Sequence, residues 1–510
     1  MPSLSQQQLH QQLIESHSAG HFDQAEWLAN QLLAQDPDDA AAGAALALIL
    51  SSRGMGSEAK ALLQRVVRLH PQDAQSWYNL GVVCQEKNHT TEAMNAYRGC
   101  LQANPAHNDA LWNYSELLRG QQFFKEAANC LEQLLLLEQI PRPDLQHRLA
   151  VCYAHLGKYP EAEHWFSQAL MGNSSSPASS HWERAHHRLA LGDYAGGWDD
   201  YEYRFNSLST VACHDFGLPI WQGESLAGKT LLVHGEQGLG DEIMFASIIN
   251  ELAAECDELI LACQTPLLRL FAQSFPSYRV LRHDVGRNPA HIAQSHKIDF
   301  SIPLGSLARF RRRSAEDFNG QPYLGADADE MLTFSQLLQT QTSDRHYRVG
   351  VMWGSNPAHG VDWGAKRAQR KSIPIAELNA LGNIAGLQWI SLQNYENAHQ
   401  AAFAPGLNLL DVSDHLQDLA STAALMMNLD LVITVDTSIA HLAGSLGLPT
   451  WVLVMKDCDW RWLREGEDSA WYQSVRLIRQ QHQGDWIELT MRLQGFLTEW
   501  VNEQDQAREQ

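Results

Sequence analysis

A chain of 510 residues, 45% hydrophobic and 19% charged, has the composition of a soluble globular protein and the length for two to four domains. Its formal net charge of −22 argues against nucleic-acid binding and against anionic membrane surfaces, so any phosphate site must be built from local positive charge. The first residues lack the basic and apolar stretches of a signal peptide, no apolar run is long enough for a membrane span, and the eight cysteines form no CxxC pair; a cytoplasmic protein with free thiols is expected.

Paired helices are the first predicted elements. Pro37, Pro71 and Pro105 are spaced by 34 residues, and Pro141 follows after 36, a period that points to helix-turn-helix repeats. Ala25, Ala59 and Ala93 stand twelve residues before the first three prolines, and Ala127 and Ala162 continue the series. Four of these alanines are followed four positions later by a large residue, Leu63, Tyr97, Leu131 or Phe166, which shares their helix face. The first unit has Ala29 there instead, with Trp27 and Leu28 just before, and matches least well. In the unit that starts near Ala74, Trp77, Leu80, Gly81, Ala93, Tyr97 and Pro105 fall where the tetratricopeptide repeat places its signature residues. Residues 5–175 therefore resemble a tetratricopeptide array of about five repeats, and "GDYAGGWDDYEYRF" reads as a degenerate sixth ending near Phe205. Stacked helix pairs make a concave surface that holds extended peptides or partner helices. They serve homodimerisation equally well, and the period alone names no chemistry.

The period vanishes around Leu208–Gly228. From Thr230 onward short apolar runs alternate with helical stretches, and strands are expected at 230–234, 258–264, 278–283, 298–304, 348–353, 387–393, 407–411, 429–435, 450–454 and 475–479. Such alternation indicates βα units and parallel sheets. The strands are too many for one small sheet, and the polar stretch Thr340–His346 divides them. The expected fold class is α + α/β: a helical solenoid over 1–205, then two α/β lobes over 206–345 and 346–510.

The first βα turn, "HGEQGLGDEIMF", places Gly235, Gln237, Gly238 and Gly240 beside three acids, Glu236, Asp241 and Glu242. Glycines let backbone approach a ligand closely, but phosphate loops rarely crowd it with carboxylates. Asp241 could instead cap a helix over 241–253. A dinucleotide-binding oxidoreductase would want G-x-G-x-x-G here, yet Gly238 and Gly240 are followed by Ile243, and the strand 258–264 ends in Gln264 rather than an acid. Further on, the strand 348–353 leads into Trp353, Ser355 and Asn356, followed by a basic cluster of Lys366, Arg367, Arg370 and Lys371. Gln393 ends the strand "WISLQ" as a candidate for nucleotide or sugar contact. In "LDLVITVDTSIAHLAGSLGLPTWVLV" a strand ends at Asp436, Thr437 is placed to cap a helix that Ser438 opens, and His441 faces the same way as Thr437. Helix starts beyond parallel strands attract phosphate. A capping or core histidine is the plainer reading of His441.

The pieces "GEQGLGDEIMF", "VGVMWGSNP", "RKSIP", "SLQ", "DLVITVDTSIAHLAG", "DWRWL" and "WY", in this order, resemble a bacterial family of tetratricopeptide-fused glycosyltransferases related to the heptosyltransferases. The resemblance covers nearly the whole chain and implies the GT-B arrangement of two Rossmann-like lobes. It implies that Gly240-Asp241 supplies the catalytic base, with Glu236 and Glu242 as rivals. It also implies that Asp436, Thr437, Ser438 and His441 bind the sugar and phosphates of a nucleotide sugar, and that Lys371 contacts phosphate. The stretch "AHGVDWGAK" is longer than the family pattern, which leaves Arg367, Arg370 and Lys371 open as leaving-group contacts. The implied activity is metal-independent, inverting transfer of a sugar from a nucleotide-sugar donor to a Ser/Thr hydroxyl of a protein, with no cofactor. Metal-dependent transferases use D-x-D; Asp327-Ala-Asp329 and Asp457-Cys-Asp459 match it, but in the wrong surroundings. O-GlcNAc transferases also fuse such repeats to an enzyme that modifies protein hydroxyls, and bacterial relatives of this type are associated with flagellin. The repeats would then hold the protein acceptor. The alternatives are a transferase acting on lipopolysaccharide or another glycan, and a repeat scaffold with an inactive transferase domain. Donor sugar and nucleotide are not legible.

Overall fold

The structure is a computed structural model that describes residues 5–138, 142–172, 177–207, 216–283, 292, 297–342, 346–355, 368–393 and 395–509. The chain divides into two units, Met1–Ser180 and His181–Gln510.

In the first unit helices pack in pairs: Gln6–Ser18 with Phe22–Gln35, Ala40–Ser52 with Gly56–Leu69, Ala74–Glu86 with Thr90–Ala103, Asn108–Gly120 with Phe124–Leu137, and Pro143–His155 with Tyr159–Met171. The predicted register is the packed one, since Ala25, Ala59, Ala93, Ala127 and Ala162 are all buried, as are Leu63, Tyr97, Leu131 and Phe166. An alanine lets the partner helix approach, and the large residue one turn on fills the space beside it. Two glycines serve the central repeat similarly: a Cβ on Gly81 would lie 2.5 Å from the Tyr97 ring, and one on Gly99 2.7 Å from the Trp77 ring. In the atypical first pair Leu28 and Ala29 are buried, whereas Trp27 remains 56% exposed.

The second unit opens with helical residues that its own core absorbs. Ala185, Leu189, Tyr194, Trp198 and Tyr201 pack with the apolar residues around the first sheet. That sheet contains β1 (Thr230–His234), β2 (Glu258–Cys263), β3 (Arg279–Arg282) and β4 (Phe300–Pro303), all parallel, in the order β3-β2-β1-β4. The second sheet contains β5 (Tyr347–Met352), β6 (Leu387–Ser391), β7 (Leu431–Val435), β8 (Thr450–Val454) and β9 (Val475–Arg479), again all parallel, in the order β6-β5-β7-β8-β9. β7 and β8 are buried along their whole length, which explains their unbroken apolar sequences.

The run at 407–411 does not become a strand. Pro405–Leu407 forms a tight 3₁₀ turn, Asn408 takes left-handed backbone at φ 44°, and Leu410 makes a single bridge to Ile390. The helix expected at 241–253 is broken into Leu239–Phe245, a 3₁₀ turn at Ala246–Ile248, and Ile249–Ala253. No described helix is long and apolar enough to cross a membrane.

Both strand orders contain a reversal. In the first sheet the chain winds outward from β1 and returns to its other side with β4; in the second it returns across β5 with β7. Open parallel sheets bind ligands beyond the strand ends at such reversals. The turns after β1, β5 and β7 carry the candidate residues other than Gln393, which lies just past β6.

Candidate functional site

Beyond β1 the chain passes through Gly235 and enters the helix Leu239–Phe245. The three acids of this turn meet three different fates. Glu236 is buried and accepts from Arg204 twice, Nε to Oε1 at 3.1 Å and Nη2 to Oε2 at 3.0 Å. Arg204 is itself fully buried and also donates to Ser306 Oγ at 2.7 Å and Glu202 Oε1 at 2.8 Å. Burial pushes the Glu236 carboxyl upward, and the guanidinium opposes that push. Beside it, Gln237 Nε2 donates to the Tyr201 hydroxyl at 2.8 Å.

Glu242 is buried against Gly235, where a side chain would collide with the carboxylate. It accepts from Gln264, from the backbone N–H at 3.2 Å and from Nε2 at 2.8 Å. Burial nevertheless pushes its pKa up to about 8. From the ordinary glutamate range up to about 8, the folded chain holds a proton that the unfolded chain has released. Stability therefore falls as pH rises through that window, by up to about 1.4 kcal/mol per pH unit. Glu242→Gln removes the titration, so its melting temperature relative to wild type is expected to climb between pH 5 and pH 8 in thermal melts; a constant difference would contradict the assignment.

Asp241 is the acid that keeps solvent contact, with a side chain 19% exposed against 2% for Glu236. Its Oδ2 accepts the Gly238 N–H at 3.1 Å, the reach-back bond of a capping box, and its Oδ1 pairs with Arg461.

Across from this turn lies the helix Ser438–Ser445, which starts just past β7. A Cβ on Gly240 would lie 3.0 Å from His441 Cδ2 and 3.4 Å from Ser438 Cα, so the glycine permits the contact between turn and helix. Asp436 accepts from Trp462 Nε1 at 2.8 Å on one oxygen and pairs with Lys371 on the other. Burial works against its charge, but the Lys371 ammonium prevails and holds the carboxyl below its ordinary range. Thr437 occupies the N-cap position without capping: its hydroxyl meets Thr434 Oγ1 at 3.1 Å and makes no capping bond to the helix. His441 is buried, shares a hydrogen bond between its Nδ1 and the Tyr472 hydroxyl at 3.0 Å, and stacks on Trp462 with centroids 5.0 Å apart. Burial, helped by the Arg461 charge, pulls its pKa down to about 4, so the ring is neutral at pH 7.

The turn after β5 is fixed from two sides. Trp353 is buried with its Nε1 donating to Gln400 Oε1 at 3.1 Å; the Gly354 N–H donates to buried Gln393 at 2.8 Å, and the Ser355 N–H to Ser372 Oγ at 2.9 Å. Arg370 is half-buried next to Lys371, whereas Asn356, Lys366 and Arg367 lie outside the described residues.

Both D-x-D matches have other employment. Asp327 caps the helix Ala328–Gln341, Asp457 pairs with Arg464, and Asp459 pairs with Arg461 at 2.5 Å. Among the described residues no three His, Cys, Asp or Glu side chains form a group that could hold a metal. Arg461, Trp462 and Tyr472 are site residues that residue-type reasoning missed; "DWRWL" and "WY" were visible only as pieces of a resemblance, without roles.

Tetratricopeptide repeat profiles match residues 16–80, 74–107 and 115–180. The N-terminal region is thus an array of tetratricopeptide repeats. Protein FlbA of Caulobacter vibrioides is 29% identical over 442 aligned residues, covering 82% of this chain and 71% of FlbA. Coverage of that extent reaches beyond the repeats into the residues that carry the sheets. Among solved structures, that of MamA is 20% identical with a TM-score of 0.28 and covers 31% of this chain and 91% of MamA. That of pilF from Pseudomonas aeruginosa is 18% identical with a TM-score of 0.32 and covers 39% of this chain and 88% of pilF.

Proposed function

We propose that the second unit is a metal-independent glycosyltransferase of the GT-B type, with its acceptor side on the four-stranded sheet and its nucleotide-sugar side on the five-stranded sheet. One observation carries this reading: Asp241, on the reversal turn of one sheet, pairs with Arg461, and its neighbour Gly240 lies against the start of the helix Ser438–Ser445 that follows β7 of the other, where Lys371 pairs with Asp436. The reaction needs both sides. Asp241 takes the proton of an acceptor hydroxyl as its oxygen bonds to the anomeric carbon. The bond from that carbon to the donor phosphate breaks, its electron pair stays on the phosphate oxygen, and cations and helix N–H groups stabilise the new charge. Neutral His441 contributes hydrogen bonding and packing rather than charge.

The acceptor in this proposal is a protein hydroxyl held by the repeats, since a saccharide needs no solenoid; flagellin is the candidate that the resemblance favours. Tethering raises the local concentration of the hydroxyl without adding chemistry. A repeat scaffold with an inactive transferase unit gains support from one fact, that Lys371 and Arg461 are each already matched by aspartates. A thermal-shift screen of the full-length chain against nucleotide sugars separates the two. A donor that binds only the folded chain raises its melting temperature by mass action, and at least one is expected to do so. No shift with any nucleotide sugar, together with no sugar release, would favour the scaffold.

A further inference from the structure

Arg461 is held differently at its two edges. Nη1 reaches Asp459 Oδ1, two residues back, at 2.5 Å, and the guanidinium lies over the Trp460 ring at 4.3 Å. Asp459 and Trp460 are both buried, so this edge is fixed within its own loop. Nη2 points away from that anchor and pairs with Asp241, which belongs to the turn after β1. A guanidinium presents donors on separate edges, so one edge can change partner while the other stays fixed. The same loop supplies Trp462, whose Nε1 holds Asp436 beside Lys371. Trp462 also stacks on His441 with centroids 5.0 Å apart, and Gly240, next to Asp241, lies against His441 and Ser438, so the loop and the turn meet at the start of the helix Ser438–Ser445.

A phosphate arriving at that point meets a cation whose outward edge is already occupied by a carboxylate. Two anions then compete for one pair of N–H donors. Resting on the transferase reading above, we propose that Arg461 exchanges Asp241 for the donor phosphate, so that donor binding frees the base and supplies a cation to the leaving group in one movement. Asp459 and Trp460 keep the guanidinium in place while Nη2 changes partner. The base is thereby released only when a donor is present, and the donor binds before the acceptor reacts. As the anomeric C–O bond breaks, Arg461 faces the electron pair left on the phosphate, and Asp241 keeps the acceptor's proton.

Competition of this kind has a sign that a purely structural ion pair lacks: removing the charge of the base must tighten phosphate binding. The test is calorimetric titration of the full-length chain with UDP, GDP, CMP and inorganic pyrophosphate. Asp241→Asn is expected to bind the tightest of these probes about 5- to 100-fold more strongly than wild type. Arg461→Gln is expected to bind it about tenfold or more weakly. In the Arg461→Gln background, Asp241→Asn is expected to change affinity by less than about twofold, because the two substitutions act on one interaction. Should Arg461→Gln not fold, Arg461→Lys takes its place and the gain from Asp241→Asn is expected to shrink. Unchanged or weakened binding by Asp241→Asn overturns the exchange. So does an equal gain with and without Arg461, which would mark simple relief of charge repulsion. Either result alongside continued nucleotide-sugar turnover leaves the transferase reading standing, whereas binding of no probe overturns both.

Discussion

Asp241→Asn is expected to lower nucleotide-sugar turnover with acceptor present by about 10²- to 10⁴-fold, the range over which a positioned general base contributes. The amide keeps the size of the carboxylate and still accepts the Gly238 N–H, so the helix start at Leu239 keeps its bond. Only the capacity to take a proton and the ion pair to Arg461 are lost. Donor binding is therefore not weakened, and with Arg461 released it is expected to tighten, so the loss appears in kcat. Glu242→Gln is the control within the same turn, because Glu242 is buried against Gly235 with both oxygens directed at Gln264. Steady-state release of nucleotide, with donor affinity measured separately, checks the pair. Turnover in Asp241→Asn within about threefold of wild type would remove Asp241 from the chemistry.

The largest effect on stability is expected at Arg204, which reaches the glycine turn through Glu236. Arg204→Ala leaves Glu236 buried without its bidentate partner and also strips a donor from Ser306. Breaking one side of a buried ion pair typically costs about 3–5 kcal/mol. Because Glu236 lies in the glycine turn, the damage also reaches Gln237 and Asp241, and turnover should fall below the temperature at which the unit melts. Replacing both members, Arg204→Met with Glu236→Leu, should recover much of the stability, since no fully buried charge is then left alone and Glu202, the other partner of Arg204, keeps solvent contact. Denaturant titration of the single and double variants checks this. A single variant as stable as wild type would show that the pair is not what holds the turn.

How far the sequence reveals this protein depends on how local each signal is. The repeats are legible because Ala93 and Tyr97 lie one turn apart on one helix, and the same pair recurs at a fixed period. β7 and β8 are legible because a strand buried on both faces is apolar at every position. The false strand at 407–411 has the right apolar run, but the left-handed backbone at Asn408 turns it away from the sheet. In the turn after β1 the resemblance favours Asp241 among three acids, with Glu236 and Glu242 as rivals, and local sequence alone does not separate them. Their separation into a buried ion pair at Glu236, a buried carboxyl at Glu242 and a partly exposed, ion-paired carboxylate at Asp241 follows from tertiary partners, Arg204, Gln264 and Arg461, which no local pattern records. Arg461 was illegible for a related reason: its partner Asp241 lies 220 residues away. Thr437 shows the opposite failure, since a residue type ideal for capping found a better partner in Thr434.

The proposed function requires this chain to move a sugar onto a protein hydroxyl. It is tested most directly by intact-mass spectrometry of flagellin co-expressed with the full-length chain and with its Asp241→Asn variant, in cells that make the nucleotide sugar. Flagellin is expected to gain the mass of one or more sugar residues on Ser or Thr with the wild-type chain and to stay unmodified with the variant. Unmodified flagellin in both, together with a glycolipid that gains sugar only when the wild-type chain is present, would contradict it.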